Sequence, residues 1–252
     1  VTELRLVVMA VVGLAAGVLN YAAASGSIIP FLVMCSFGVP MPMANATVLT
    51  ATPASFIRAL WEIKTLPRLM VVPLIVSALA SIGGAVVVAT LVTGDLFRVA
   101  VPYVLIFAVV ALVSFGHVRK RIDEVARRRH RSPQVSHRLL VPGVAATSAY
   151  AGMFGASVGV LILALCSAVT PWPWRQIAAV KNLTCLTTST CGLMVYAASD
   201  LVLWPTAIVL AITMAVGGAV GKVVADRVRA VVLRRSVAAV TLVAALALIW
   251  TS

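Results

Sequence analysis

Apolar residues run along this chain in long blocks from Leu6 almost to Trp250, separated by short polar or small-residue stretches. A helix needs about 20 apolar residues to cross a hydrocarbon core of roughly 30 Å. Uninterrupted blocks of that kind occupy approximately Met41 to Trp61, Leu69 to Thr93, Leu96 to Val118, Ala178 to Ser199, Leu201 to Val224 and Val231 to Trp250. Each is predicted to be a transmembrane helix. Two further blocks are interrupted. Leu6 to Tyr21 is followed by AAASGS and then Ile28 to Gly38, and Leu139 to Ala151 is followed by GMFGAS and then Val158 to Thr170. Each arm is expected to be too short to span comfortably, which predicts a broken helix or a helical hairpin. The first block lacks a small-residue cleavage site followed by polar sequence, so it is read as part of the fold and not as a signal peptide.

Composition agrees with the pattern. The hydrophobic set makes up 62% of the 252 residues, charged residues only 11%, and the mean hydropathy is +1.10, which excludes an ordinary soluble domain. The expected class is an all-α, multi-pass integral membrane protein. The formal charge of +13 raises nucleic acid as a partner, but eight of the 20 Lys and Arg lie between Arg119 and Arg138. The positive-inside rule accounts for such a loop between membrane segments, with anionic lipid headgroups as a compatible partner and no nucleic acid. Cys35, Cys166, Cys185 and Cys191 sit in apolar surroundings without a paired motif, and the three histidines are dispersed. No metal or cofactor is expected.

The chain repeats itself. NATVLT at Asn45 to Thr50 and NLTCLT at Asn182 to Thr187 share Asn, Thr, Leu and Thr at an offset of 137 residues. IGGAV at Ile82 to Val86 matches VGGAV at Val216 to Val220 at an offset of 134, and Cys35-Ser36 matches Cys166-Ser167 at 131. Their common order and similar spacing argue for duplication. The expected organisation is a first transmembrane repeat over 1–118, a basic cytoplasmic linker over 119–138 and a second repeat over 139–252.

Charge fixes the orientation of the interrupted blocks. With the basic loop in the cytoplasm, a single crossing by Leu139 to Thr170 sends Arg227, Arg229, Arg234 and Arg235 outside, whereas a hairpin keeps them inside. The same choice in the first half keeps Arg58, Lys64 and Arg68 inside, with both termini outside. One hairpin and three crossings per half then give two inverted repeats, each a broken helix or hairpin followed by three transmembrane helices. That architecture is typical of transporters.

The breaks suggest chemistry. A helix restarting within the membrane leaves unpaired N–H groups at the positive end of its dipole, which an anion can satisfy. Such backbone is tolerated in a bilayer only where protein buries it or it lines a cavity. Asn20, Ser25, Gly26 and Ser27 at the first break and Gly155 and Ser157 at the second are therefore candidates for binding a substrate. The repeated motif adds Asn45, Thr47, Thr50, Asn182 and Thr184 as uncharged donors. Their spacing spreads them around a helix, so they do not all face one site, and back-bonding threonines or capping asparagines are the structural alternative. Lys181 is the candidate positive charge, with snorkelling to the interface as its alternative. The seven acids, Glu62 among them, fall at segment ends or loops, which argues against a carboxylate relay or a metal-dependent enzyme. Gly83-Gly84 and Gly217-Gly218 are read as helix-packing contacts.

GLAAGVLNYAAASGSIIPFLVMCSFGVPMPMANATVLT, AGMFGASVGVLILAL with AAVKNLTCLTTS, and the closing LVLWPTAIVLAITMAVGGAVGKVVADRV together resemble the TauE/SafE sulfite exporter family of anion permeases over nearly the whole chain. The sequence departs from the family in its reduced glycine runs at Ser25-Gly26-Ser27 and Gly155 to Gly159. The resemblance implies a secondary transporter, an exporter of sulfite, a sulfonate or a related organosulfur anion, in the inner (plasma) membrane and without ATP hydrolysis by the chain itself. An anion channel, or a non-transporting assembly partner, is the alternative. A membrane-embedded enzyme lacks the acidic or histidine constellation it would need. A homodimer is the assembly considered, with no motif behind it. The topology predicts that a cysteine introduced at Val228, in a background freed of native cysteines, reacts with an impermeant thiol reagent only from the cytoplasmic face. Labelling from outside would overturn the hairpin assignment.

Overall fold

The computed structural model describes residues 3–23, 26–91, 137–155 and 158–227, with isolated helical positions at 99, 103, 106 and 110. The expected segment Val231 to Trp250, the basic loop through Ser136, most of Leu96 to Val118, and the candidate residues Ser25 and Ser157 lie outside the described residues. Regular structure among the described residues is entirely helical: α1 (Glu3–Ala23), α2 (Ile28–Ser36), α3 (Met41–Ala51), a 3-10 stretch (Thr52–Thr65), a 3-10 turn (Arg68–Met70), α4 (Val71–Leu91), α5 (His137–Met153), α6 (Val158–Val169), α7 (Trp174–Ala197) and α8 (Trp204–Arg227). Three of these helices are long and apolar enough to cross a membrane: Glu3–Ala22, Arg68–Leu91 and Trp204–Ala225.

Both interruptions are real, and at both the chain doubles back. A Cβ on Gly26 would overlap the carbonyl of Ala16, and Arg5 near the start of α1 stacks 5.3 Å from the ring of Phe37 just beyond α2. In the second half, Gly143 of α5 faces the side chain of Leu165 of α6. The first arm corrects the sequence reading. Helix α1 begins at Glu3 and runs 21 residues, about 30 Å at the usual rise, so it is long enough to span. Its partner α2 has only 9 residues.

A second correction concerns Met41 to Trp61, expected as one continuous helix. Helix α3 ends at Ala51 and a 14-residue 3-10 stretch follows. Pro53 has no N–H to donate back along an α-helix, and the Thr52 hydroxyl donates to the Val48 carbonyl at 2.7 Å. The tighter winding places Thr52, Ser55, Phe56 and Ala59 on the buried side of this stretch.

The two halves pack reciprocally. Helix α1 lies against α8 and α4 against α5, so the opening helix of each half meets the double-glycine helix of the other, while α7 crosses α3 and the 3-10 stretch. Glycines set the closeness of these crossings. A Cβ on Gly84 would overlap the Ala149 carbonyl, one on Gly152 the Ser81 carbonyl, one on Gly217 the Leu14 carbonyl and one on Gly218 the Ser55 carbonyl. Outward faces are apolar: Leu4, Val7 and Val11 on α1, Val71, Ile75 and Leu79 on α4, and Ile208, Ile212, Val216 and Val220 on α8 are all exposed. Asn20, Asn45, Thr47, Ser77, Ser81, Ser148, Lys181 and Thr184 are buried instead. Apolar outside and polar inside is the arrangement that suits a lipid surround.

Gly84→Val and Gly217→Val are expected to lower the melting temperature in detergent, each costing roughly 1–3 kcal/mol by forcing a backbone crossing apart. Gly83→Ala is expected to be neutral or slightly stabilising, since nothing lies within 4 Å of its Cβ position. Equal losses from all three would show that the crossings do not depend on glycine.

Candidate functional site

The two breaks meet at a small cavity of mixed lining, with Leu49 and Ala151 among its apolar walls. It measures about 30 Å³ and is lined from the first break by Asn20 and Ser27, from the second by Gly155, Val158 and Gly159, and from the crossing helices by Thr52, Phe56, Cys185, Thr188 and Ser189. The Ser27 hydroxyl donates across the cavity edge to the Gly155 carbonyl at 3.4 Å, joining one break to the other. Gly155 itself has a φ of +64°, a backbone conformation that glycine adopts without strain. A cavity of this size holds roughly two waters, so a four-heavy-atom oxyanion requires it to widen.

The broken backbone finds side-chain partners. Asn20 accepts from the Ser27 N–H through Oδ1 at 3.0 Å and donates through Nδ2 to the Ser55 hydroxyl at 3.1 Å. It therefore occupies a donor at the start of α2 that the sequence reading left open for a ligand. Where α1 ends, the Tyr21 carbonyl accepts from Lys181 Nζ at 2.7 Å. Where α5 ends, the Met153 carbonyl accepts from Asn45 Nδ2 at 2.9 Å and the Gly152 carbonyl from the Tyr196 hydroxyl at 2.9 Å. Lys181 also places its ammonium 5.7 Å from the Tyr21 ring and 5.8 Å from the Phe56 ring, a cation–π arrangement at the negative end of the α1 dipole. It is only 3% exposed and so is held inside the protein, not snorkelled to a surface.

Tyr21, Phe56 and Lys181 form a partition. Phe56 and Cys185 line the small cavity, and Lys181, one turn before Cys185 on α7, lines a much larger open vestibule with Tyr21. The vestibule encloses about 1160 Å³, and among the described residues its charged lining is Arg58, Arg175, Lys181, Lys222 and Glu62. Four cations against one carboxylate give it a positive field that draws anions. Trp61 and Trp174 also face it.

The candidate residues divide accordingly. Asn20, Ser27 and Gly155 come together at the cavity, and Gly26 is pressed against α1 beside it. Lys181 and Asn182 line the vestibule. Asn45 binds the second break from outside the cavity lining, and Thr47 accepts from the Leu203 N–H at 3.0 Å, far from both breaks in sequence. The hydroxyls of Thr50 and Thr184 and Oδ1 of Asn182 are buried without a hydrogen-bond partner. The residue that sequence reasoning passed over is Glu62. Its carboxylate accepts from the Tyr21 hydroxyl at 2.7 Å and from Asn182 Nδ2 at 3.1 Å, and lies 3.6 Å from Lys222 Nζ. The sequence placed it at a segment end. Only the 3-10 stretch, which turns it toward α7 and α8, reveals it as part of the vestibule floor.

These features define a helical integral membrane protein with a small internal cavity at paired helix breaks. Residues 9–248 match the family described as Sulfite exporter TauE/SafE, which covers nearly the whole chain, and the chain belongs to that family. It is thereby a member of a family of membrane transporters. No curated relative and no solved structure matches it.

Asn20→Leu removes the acceptor of Ser27 N–H and the donor to Ser55 together, and is expected to cost roughly 2–3 kcal/mol of stability in detergent melts. Thr47→Val is expected to cost less, about 1 kcal/mol, for one lost acceptor. A larger loss at Thr47 would contradict the central position assigned to Asn20.

Proposed function

We propose that the chain is a secondary transporter, an exporter of a small anion such as sulfite, a sulfonate or a related organosulfur anion, working in the inner (plasma) membrane by alternating access around its two broken helices. On this reading residues 1–118 and 139–252 are inverted repeats joined by a basic cytoplasmic linker at 119–138. The observation that carries the proposal is the meeting of two helix breaks at one small cavity, walled from a positively charged vestibule by a buried lysine. On this reading an anion takes over donors from both halves, among them Ser27, Thr188 and Ser189, that now serve internal partners, and Lys181 supplies the full charge that the anion meets on its way in. The contact between Ser27 and Gly155 is the place where rocking of one half against the other would open the cavity.

The separation of cavity from vestibule favours a transporter over a channel, because a channel needs a continuous aqueous path in its conducting state. Anionic membrane lipids are the surrounding partners of the basic surfaces, and a homodimer is the assembly proposed.

Purified chain reconstituted in liposomes is expected to carry sulfite with saturable kinetics, with competition among sulfite, thiosulfate and taurine identifying the preferred class. Lys181→Ala is expected to raise the half-saturating anion concentration by about tenfold, the loss of one charge-assisted contact, whereas Arg68→Ala at an exposed position should change it little. Absence of flux for every anion tested sinks the proposal, and equal effects of the two variants would remove Lys181 from the site.

A further inference from the structure

The floor of the vestibule is already an anion site with an occupant. Tyr21 Oη, Asn182 Nδ2 and Lys222 Nζ reach it from α1, α7 and α8, three different helices, and all three converge on the carboxylate of Glu62. Two neutral donors and an ammonium around two oxygens would serve a free carboxylate, sulfite or sulfonate equally well. The remaining charged side chains lining the space, Arg58 and Arg175 with Lys181 behind Tyr21, add to the attraction. Among the described residues of this lining Glu62 is the only acid.

The same contacts hold the partition shut. Tyr21 contributes its carbonyl to Lys181 and its hydroxyl to Glu62, while Asn182 is the neighbour of Lys181 on α7. Because Asn182 turns its Nδ2 to the carboxylate, its Oδ1 is buried with no partner. An amide held half-satisfied in this way costs free energy that its bond to Glu62 offsets. Withdrawing Glu62 therefore loosens Tyr21 and Asn182 together, the two residues on either side of Lys181.

We propose that Glu62 is a tethered anion that competes with the transported one: its carboxylate occupies the vestibule donor set and pins the Tyr21–Lys181 partition, and an anion passing between vestibule and cavity replaces it there. This rests on the transport reading for its direction of use, but the competition itself is a binding property. Glu62 acts through the site it fills, as a specificity-determining gate. Monovalent and divalent oxyanions displace it because they bring the same acceptor geometry, and neutral solutes leave it in place.

The test uses the full chain, in detergent for binding and in liposomes for flux. Sulfite binding is followed by intrinsic tryptophan fluorescence, since Trp61 and Trp174 line the vestibule. Glu62→Gln keeps the shape and removes the charge, and is expected to lower the half-saturating sulfite concentration by roughly three- to tenfold, with a smaller change in maximal flux. Glu62→Ala vacates the donors, so millimolar formate, inert toward the wild-type protein, is expected to compete with sulfite for the variant. Unchanged or weakened sulfite binding in Glu62→Gln overturns the proposal. Tighter binding in Glu62→Gln with no formate competition in Glu62→Ala also overturns it, because it reduces Glu62 to its long-range field. If Glu62→Gln does not fold, formate competition in Glu62→Ala decides alone; if Glu62→Ala does not fold, Glu62→Gly takes its place in the formate arm. Should wild-type liposomes carry no anion while the binding results hold, the transport reading fails and the competing carboxylate stands.

Discussion

Backbone that stops being helical inside a membrane has to find hydrogen-bond partners within the protein, and in this chain those partners come mostly from the opposite half. The Tyr21 carbonyl at the end of α1 takes Lys181 from α7, and the Met153 carbonyl at the end of α5 takes Asn45 from α3. Lys181 and Asn182 open the repeated motif region of the second half as Ala44 and Asn45 do in the first. Each half thus supplies the cap for the other's broken helix. Asn20 and Tyr196 cap part of each break from its own half, but neither break is capped wholly that way, which ties the two together around a common centre.

This constraint also organises the packing. The caps reach across only if the helices carrying them approach closely, and the approach is set where Gly17 meets Gly217 and Gly218, and where Gly84 and Gly152 meet the backbones of Ala149 and Ser81. With no gain from hiding apolar surface in lipid, close backbone contact and internal hydrogen bonds are what hold such helices together. The exposed faces are accordingly free to be Val, Ile and Leu, while serines and threonines sit inside. Ser81, which donates to the Thr188 carbonyl at 2.7 Å, shows the pattern at the α4–α7 crossing.

Much of this was legible in the sequence, because it rests on local composition. The small-residue interruptions marked the breaks, the paired glycines marked the tight crossings at Gly84, Gly217 and Gly218 though not at Gly83, which faces open space, and the repeated Asn and Thr marked where polar groups would lie buried. What was not legible depends on distant partners or on backbone winding. Nothing near Lys181 announces that its ammonium will end on Tyr21, 160 positions away in sequence. Glu62 looked interfacial because an α-helix continued from Met41 gives no reason for it to turn inward, and the change to 3-10 winding at Thr52-Pro53 alters the face on which every later residue falls. The 21-residue length of α1 was hidden because the apolar block opens only at Leu6, whereas the helix begins at Glu3.

The charge arrangement follows from the same geometry. A lysine buried among helix ends is costly to desolvate, and the Tyr21 carbonyl, the α1 dipole and two aromatic faces offset part of that cost with partial charges. These partners are fixed by the fold. Glu62, by contrast, lies on the open side of the partition, bonded to side chains of three helices, and its side chain is partly exposed at 19%. The interior therefore carries positive charge held by backbone and negative charge held by side chains. On the proposed transport reading, an anion approaching through the vestibule meets first the side-chain contact and then the backbone one. That order follows from which contact is backbone and which is side chain.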